Sequence, residues 1–240
     1  MTIDEFRREF DISYNNIMSN AAPAIDDYEK SVFLTKAQES IVTAIYAGSF
    51  ETSEQSIESL NRLVETKEFS SKEALNGTDI PVALSKDSKF FKFNPDDRIM
   101  FITYEALDIP VGVCGKDRMT VLVKPTKQDE YYRLSNNPFR KARWREALRL
   151  NTKGLVEIIS TYPVYTYKVR YMRRPNPIIL YNANWESGNW DDASLSINGE
   201  NHPILVDGSP CELDPMLHAT ILDSAVQLAA AAYKSVNSQS

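Results

Sequence analysis

The sequence predicts an α+β fold: an N-terminal helical bundle, a central and mostly antiparallel β module, and a C-terminal helix that closes on the bundle. Three observations carry this. Apolar residues recur at steps of three and four near both ends of the chain. The middle holds strand-like runs with little helix between them. Turn-forming clusters of Asn, Pro, Gly and Asp punctuate that middle. The predicted boundaries are 1–70 for the bundle part, 71–210 for a β-rich module with long loops, and 211–240 for the closing helix.

The elements follow in order. Thr2 and Glu5 form a Thr-x-x-Glu capping box, and Ile3, Phe6, Phe10, Tyr14 and Ile17 then lay one stripe along a helix. Asp26 with Glu29 caps a second helix, with Val32, Phe33, Ala37, Ile41 and Ile45 on its apolar face and Gly48 at its end. Thr52 or Ser53 starts a third, running through Ile57, Leu60, Leu63 and Val64. The polar stretch Phe69 to Lys89 is expected to be a linker or exposed loop. Asn94-Pro-Asp-Asp97 is a turn, and Ile99 to Tyr104 and Met119 to Val123 are strands. Thr126 with Asp129 is expected to cap a short helix, Lys127 to Leu134. Leu155 to Ser160 and Tyr165 to Tyr171 are expected to pair with each other. In the second, Tyr165, Tyr167, Val169 and Tyr171 share one face and Lys168 and Arg170 the other. Asn182 to Pro210 is a polar excursion with a hairpin near Ile197-Asn-Gly-Glu200. Asp214-Pro215 opens the last helix, whose predicted apolar face is Leu217, Ile221, Ala225, Leu228 and Ala232.

Charge is segregated along the chain. The formal net charge is −6. Lys116 to Arg174 holds 15 Lys and Arg against 5 Asp and Glu, a net of +10, so the remainder, with 12 against 28, carries −16. Opposite patches on one protomer can meet in a repeating head-to-tail contact. An ordinary intramolecular mixture of charges stays open as the alternative. The densest basic stretch is Arg140, Lys141, Arg143, Arg145 and Arg149 around Trp144, with Arg170, Arg173 and Arg174 as a second group. These nine residues are the expected interface. Protein contact, nucleic-acid contact and a solvated loop all remain open for the basic loop, because an aromatic among cations can also stack on a base.

Chemistry is sparse. Neither a P-loop nor a dinucleotide fingerprint is present, and Gly-x-Ser-x-Gly and HExxH are also absent. The histidines are His202 and His218 only, and the cysteines Cys114 and Cys211, expected as free thiols. The adjacent acids Asp26-Asp27, Asp96-Asp97 and Asp191-Asp192 fall in expected caps and turns, where Asp serves locally. No catalytic, cofactor or metal residues are assigned, and no enzyme is expected. No apolar run approaches the ~20 residues that span a bilayer, so no membrane partner is expected.

Four phrases carry a resemblance. They are Asp11-Ile-Ser-Tyr-Asn-Asn-Ile-Met-Ser-Asn20 with Asp27 to Gln38; Val121-Leu-Val-Lys-Pro-Thr-Lys-Gln-Asp-Glu-Tyr131 running on to Asn137-Pro-Phe139; Tyr167 to Ile178; and Leu217 to Ala229. In this order they resemble a ring or adaptor protein of the head-to-tail connector of crAss-like tailed bacteriophages. The resemblance covers the chain apart from Thr66 to Lys89 and Asn182 to Pro210. It implies a virion structural subunit made in the host bacterial cytoplasm and assembled as a homo-oligomeric ring, twelve-fold, in the neck. That ring would link the portal protein to neighbouring ring or tail proteins, line the genome channel and touch genomic DNA non-specifically. A DNA-contacting packaging or head-completion factor is the alternative.

Overall fold

Helix α1 (Ile3–Met18) and helix α2 (Asp27–Tyr46) begin where local chemistry says they must. The structure, a computed structural model, describes residues 1–18, 24–49, 54–75, 80–85, 88–110, 118–137, 146–180, 194–197, 200–203 and 209–237, with the backbone alone at 54–56, 194–197, 200–203 and 234–237. At α1, the Glu5 carboxylate accepts from the Thr2 amide at 2.8 Å and the Thr2 hydroxyl from the Glu5 amide at 3.3 Å. Asp26 and Glu29 make the same reciprocal pair at α2, at 2.7 and 3.3 Å. Each box satisfies amides that the first helical turn leaves without partners. Helix α2 stops at Gly48, whose φ of +70° only glycine adopts without strain.

The chain divides into two units. One joins residues 1–63 to 174–240; the other is the continuous stretch Val64–Arg173. In the first unit, α5 (Pro215–Asn237) packs against α2 and α1. Asp214 caps it, its side chain accepting from the Met216 amide at 3.0 Å. Phe6, Phe10 and Tyr14, Leu34, Ile41 and Ile45, and the α5 residues Ile221, Ala225, Val226 and Ala229 are all buried. The predicted α5 face drifts: Leu228 is 42% exposed, and Val226 and Ala229 are buried in its place.

An extended segment, Pro175 to Leu180, lies along α2. Ser31 Oγ accepts from the Leu180 amide at 3.0 Å, Thr35 Oγ1 from the Ile178 amide at 3.1 Å, and Gln38 Nε2 donates to the Asn176 carbonyl at 3.3 Å. Arg7 donates to the Leu180 carbonyl. Ile178, Ile179 and Leu180 are buried, so their backbone polar groups need these partners.

The second unit is a seven-stranded sheet: β1 (Val64–Ser70), β2 (Ser88–Phe91), β3 (Ile99–Pro110), β4 (Arg118–Pro125), β5 (Glu146–Thr152), β6 (Leu155–Ile159) and β7 (Thr166–Arg173). Their spatial order is β1-β7-β3-β4-β5-β6-β2, antiparallel except for β4 and β5. Parallel neighbours need a crossover, and α4 (Gln128–Asn136) lies on it. Its Tyr131 and Leu134 cover Leu148, Leu150 and Ile159. The sheet curls on its other face until its two edges approach, with the Phe69 and Phe91 rings 5.6 Å apart. The enclosed core takes Phe69, Phe91, Leu107, Val121, Ala147, Ile158 and Tyr167, one or more residues from each strand. Backbone strands β8 (Ser194–Ile197) and β9 (Glu200–Pro203) form the hairpin expected near Ile197.

Four expectations fail, each for a non-local reason. The third helix, α3 (Glu54–Leu60), ends in a 3-10 turn, and Val64 starts β1, because β7 offers seven residues of antiparallel ladder. The expected linker therefore contains the end of β1 and the first two residues of β2, Ser88 and Lys89. Leu155–Ile159 and Thr166–Arg173 are not paired; β6 sits between β5 and β2, and β7 between β1 and β3. Thr126 does not cap α4: its amide donates to the Arg149 carbonyl at 2.9 Å, prolonging the β4–β5 ladder.

The β5–β6 hairpin turns on Lys153 and Gly154 at φ +50° and +75°. Two positive φ values suit Asn-Gly far better than Lys-Gly. Lys153→Asn is expected to stabilise the protein by about 1 kcal/mol in urea titration; an unchanged midpoint would contradict the turn assignment.

Candidate functional site

Of the nine expected interface residues, Arg140, Lys141, Arg143, Trp144 and Arg145 lie outside the described residues. The other four are dispersed. Arg149 leaves β5 on the inner face, its side chain only 14% exposed and its Nε 3.0 Å from Glu105 Oε2. The N–H is not aligned on that oxygen, so this is an ion pair, not a hydrogen bond; Nη1 donates to Asn151 at 3.2 Å. Arg170 is exposed on the outer face of β7 and donates to Thr66 at 3.4 Å. Arg173 sits 3.0 Å from Glu65, which also accepts from the Tyr171 hydroxyl at 3.0 Å. Arg174 belongs to the helical unit, 3.6 Å from Glu39.

Two polar arrangements were not visible as sites in the sequence. Inside the curl, the Tyr167 hydroxyl donates to Glu105, which faces Arg149. Three strands, β7, β3 and β5, are thereby tied through one carboxylate. Burial raises the Glu105 carboxyl above the ordinary glutamate range, and the Tyr167 hydrogen bond and Arg149 oppose that rise only in part. The Tyr167 hydroxyl is raised too, by burial first and the Glu105 charge second. On the outer face, Lys168 stands 3.0 Å from Asp108 and 3.7 Å from Glu68, and Thr120 donates to Asp108 at 2.9 Å. Hydrogen bonding to Asp108 raises the Lys168 ammonium above its usual range. This row crosses β1, β7, β3 and β4. The only sequence hint was alternation: Lys168 and Arg170 share the face opposite Tyr167 and Val169.

Glu105 is 4% exposed at its side chain and faces a packed core. Among the described residues, no three His, Cys, Asp or Glu side chains converge as a metal site would require. His218 is buried, hydrogen-bonded through Nε2 to the Leu213 carbonyl at 3.1 Å, with its ring tilted against Phe6 at 5.4 Å; burial lowers its pKa. The Cys211 thiol is pushed up to about 11 by burial, which leaves it a poor nucleophile. Asp26 and Asp97 act as caps, and Asp97 also holds Lys67 at 2.5 Å. Asp191-Asp192 lie outside the described residues. Among the described residues, no helix is long and apolar enough to cross a membrane.

The geometry thus offers surfaces and ties, and the comparisons point the same way. A family model described as phage tail ring protein 3/4 matches residues 1–240. The chain belongs to that family. It is 40% identical over 238 residues to Ring protein 3 of Bacteroides phage crAss001, covering 95% of each chain. It is 35% identical over 247 residues to Ring protein 4/5 of the same phage, covering 98% of this chain and 94% of that one. Two ring proteins of one phage therefore share this sequence pattern with it.

The Glu105 tie makes a pH-dependent prediction for this ring-family chain. A carboxyl whose folded pKa is raised contributes most when protonated, and that contribution falls as pH rises from the ordinary glutamate range to the raised native value. In urea titrations, the stability of Glu105→Gln relative to the parent should therefore increase with pH through that window and level off above it. A relative stability that declines with pH would show that Arg149 dominates instead.

Proposed function

We propose that the protein is a virion structural subunit that acts by assembly and transforms no substrate. It forms a homo-oligomeric ring, twelve-fold, in the phage head-to-tail connector. There it links portal to tail and lines the genome channel, with the portal and neighbouring ring or tail proteins as partners.

The observation that carries this reading is family membership over all 240 residues. Charge gives it a mechanism. The helical unit holds 7 Lys and Arg against 19 Asp and Glu, a net of −12, whereas Val64–Arg173 holds 20 against 14, a net of +6. Units of opposite sign on one chain favour a heterologous contact, acidic face to basic face, which closes into a ring when the rotation divides the circle. Arg140, Lys141, Arg143, Trp144, Arg145 and Arg149 are the first proposed contact residues, with Arg170, Arg173 and Arg174 second. Arg149 contributes by holding β5 in place through Glu105, and Arg170 offers an exposed cation.

The same basic unit favours one other reading, a DNA-contacting packaging or head-completion factor. Full-length protein titrated with duplex DNA at low salt separates the two. Binding that weakens linearly with log salt concentration supports DNA contact; a flat curve removes it.

Replacing Arg140, Lys141, Arg143 and Arg145 together with Glu should leave a folded monomer that no longer forms rings. Mass by light scattering and the thermal unfolding midpoint read the two halves of that statement. Normal rings from this variant would contradict the charge contact.

A further inference from the structure

Among the described residues, no strand-to-strand ladder joins the two edges of the curled sheet. Among the described residues, β1 pairs with β7 alone, and β2 pairs with β6 and takes one further bridge, the Leu75 amide donating to the Phe90 carbonyl at 2.8 Å. Between the two edges lies a groove of about 330 Å³, whose walls include Lys67, Phe69, Leu75, Lys92, Phe93 and Pro95. Its floor is aromatic, with Phe69 and Phe93 edge to face at 5.4 Å. One wall is the outer edge of β1, a row of backbone donors and acceptors that can accept another strand.

Two of the groove's three charged side chains are held from within, Lys92 being the third. Lys67 is held by Asp97 at 2.5 Å, and the Glu73 carboxylate accepts from the Ser70 amide at 2.6 Å. What fits is therefore an extended, apolar, uncharged segment. The same unit presents one. Ile80-Pro-Val-Ala-Leu-Ser85 carries no charge, and Val82, Ala83 and Leu84 are all exposed, Val82 at 94% and Leu84 at 48%. Pro81 has no N–H to continue a helix, and residues 81–83 form neither helix nor turn. Its base is anchored, because Glu157 accepts from the Leu84 amide at 2.9 Å and from the Ser88 hydroxyl at 2.7 Å. Three consecutive apolar residues held out in water mark a contact surface.

We propose that residues 80–84 of one copy lie in the β1-side groove of the next copy, adding a strand along β1. This rests on the ring reading above and names the contact within it. Arm and groove are different patches of one chain, so the contact is heterologous, the kind that builds rings.

A benzophenone side chain substituted for Val82 tests this in the full-length protein, using equal amounts of ¹⁵N-labelled and unlabelled copies. After irradiation, cross-links of mixed isotope content to peptides containing residues 67–75 or 92–95 are expected. Val82→Asp with Leu84→Asp should lower the assembled fraction at least tenfold while the unfolding midpoint stays put. If the parent assembles and the cross-links are confined to single copies or map elsewhere, the arm-and-groove contact is wrong and the ring reading stands. If the parent remains monomeric at all concentrations, the ring reading falls and takes this contact with it.

Discussion

The fold depends on the fit between one face of α2 and the extended backbone of residues 176 to 180. Helix positions 31 and 35 are about 6 Å apart along the axis. Alternate residues of an extended chain are separated by about 6.6 Å. Ser31 and Thr35 therefore meet Leu180 and Ile178 in step, and the longer Gln38 reaches Asn176. Arg174 on Glu39 and the Asn176 amide on Glu212, at 2.6 Å, secure the same stretch. The bonds at Ile178 and Leu180 each satisfy a backbone amide that would otherwise be buried alone. Losing one such partner costs about 1–3 kcal/mol, a large share of a typical stability.

That docking determines how the chain is used. The polypeptide leaves the helical unit after Leu63, builds the whole curled sheet, and returns at Arg174. Both halves of the helical unit must be present before its core is complete, since α5 supplies Ile221, Ala225 and Ala229 to a cavity that α1 and α2 cannot fill themselves. The sheet has its own core and its own internal tie, Tyr167 to Glu105 to Arg149. The two units, one acidic and one basic, thus each have a core of their own.

The sequence was legible where structure is decided locally. Capping boxes at Thr2 and Asp26, the Asp214-Pro215 start and the Gly48 stop involve neighbours within four residues, and each stands as expected. The alternation survives at Tyr167, Val169 and Tyr171, all three buried, whereas Tyr165, expected on the same face, precedes β7 and is 46% exposed. Strand order was not legible. Val64 to Ser70 mixes charge with small and apolar residues, as exposed helices and loops also do, and only the β7 edge makes it a strand. Arg149 read as part of a basic loop because its partner is 44 positions away in the chain; nothing local announces that Glu105 and Arg149 share an interior. The family phrases were legible because they record a lineage, and the lineage is what the comparisons returned.

Hydrogen exchange at the Ile178 and Leu180 amides tests the central claim most directly. If the α2 docking holds the helical unit together, both should exchange as slowly as the core amides of α5, through unfolding of the unit as a whole. Exchange at the rate of a surface loop, with α2 and α5 still protected, would mean that the segment merely rests on the helix, and the account of how the two halves are joined would be wrong.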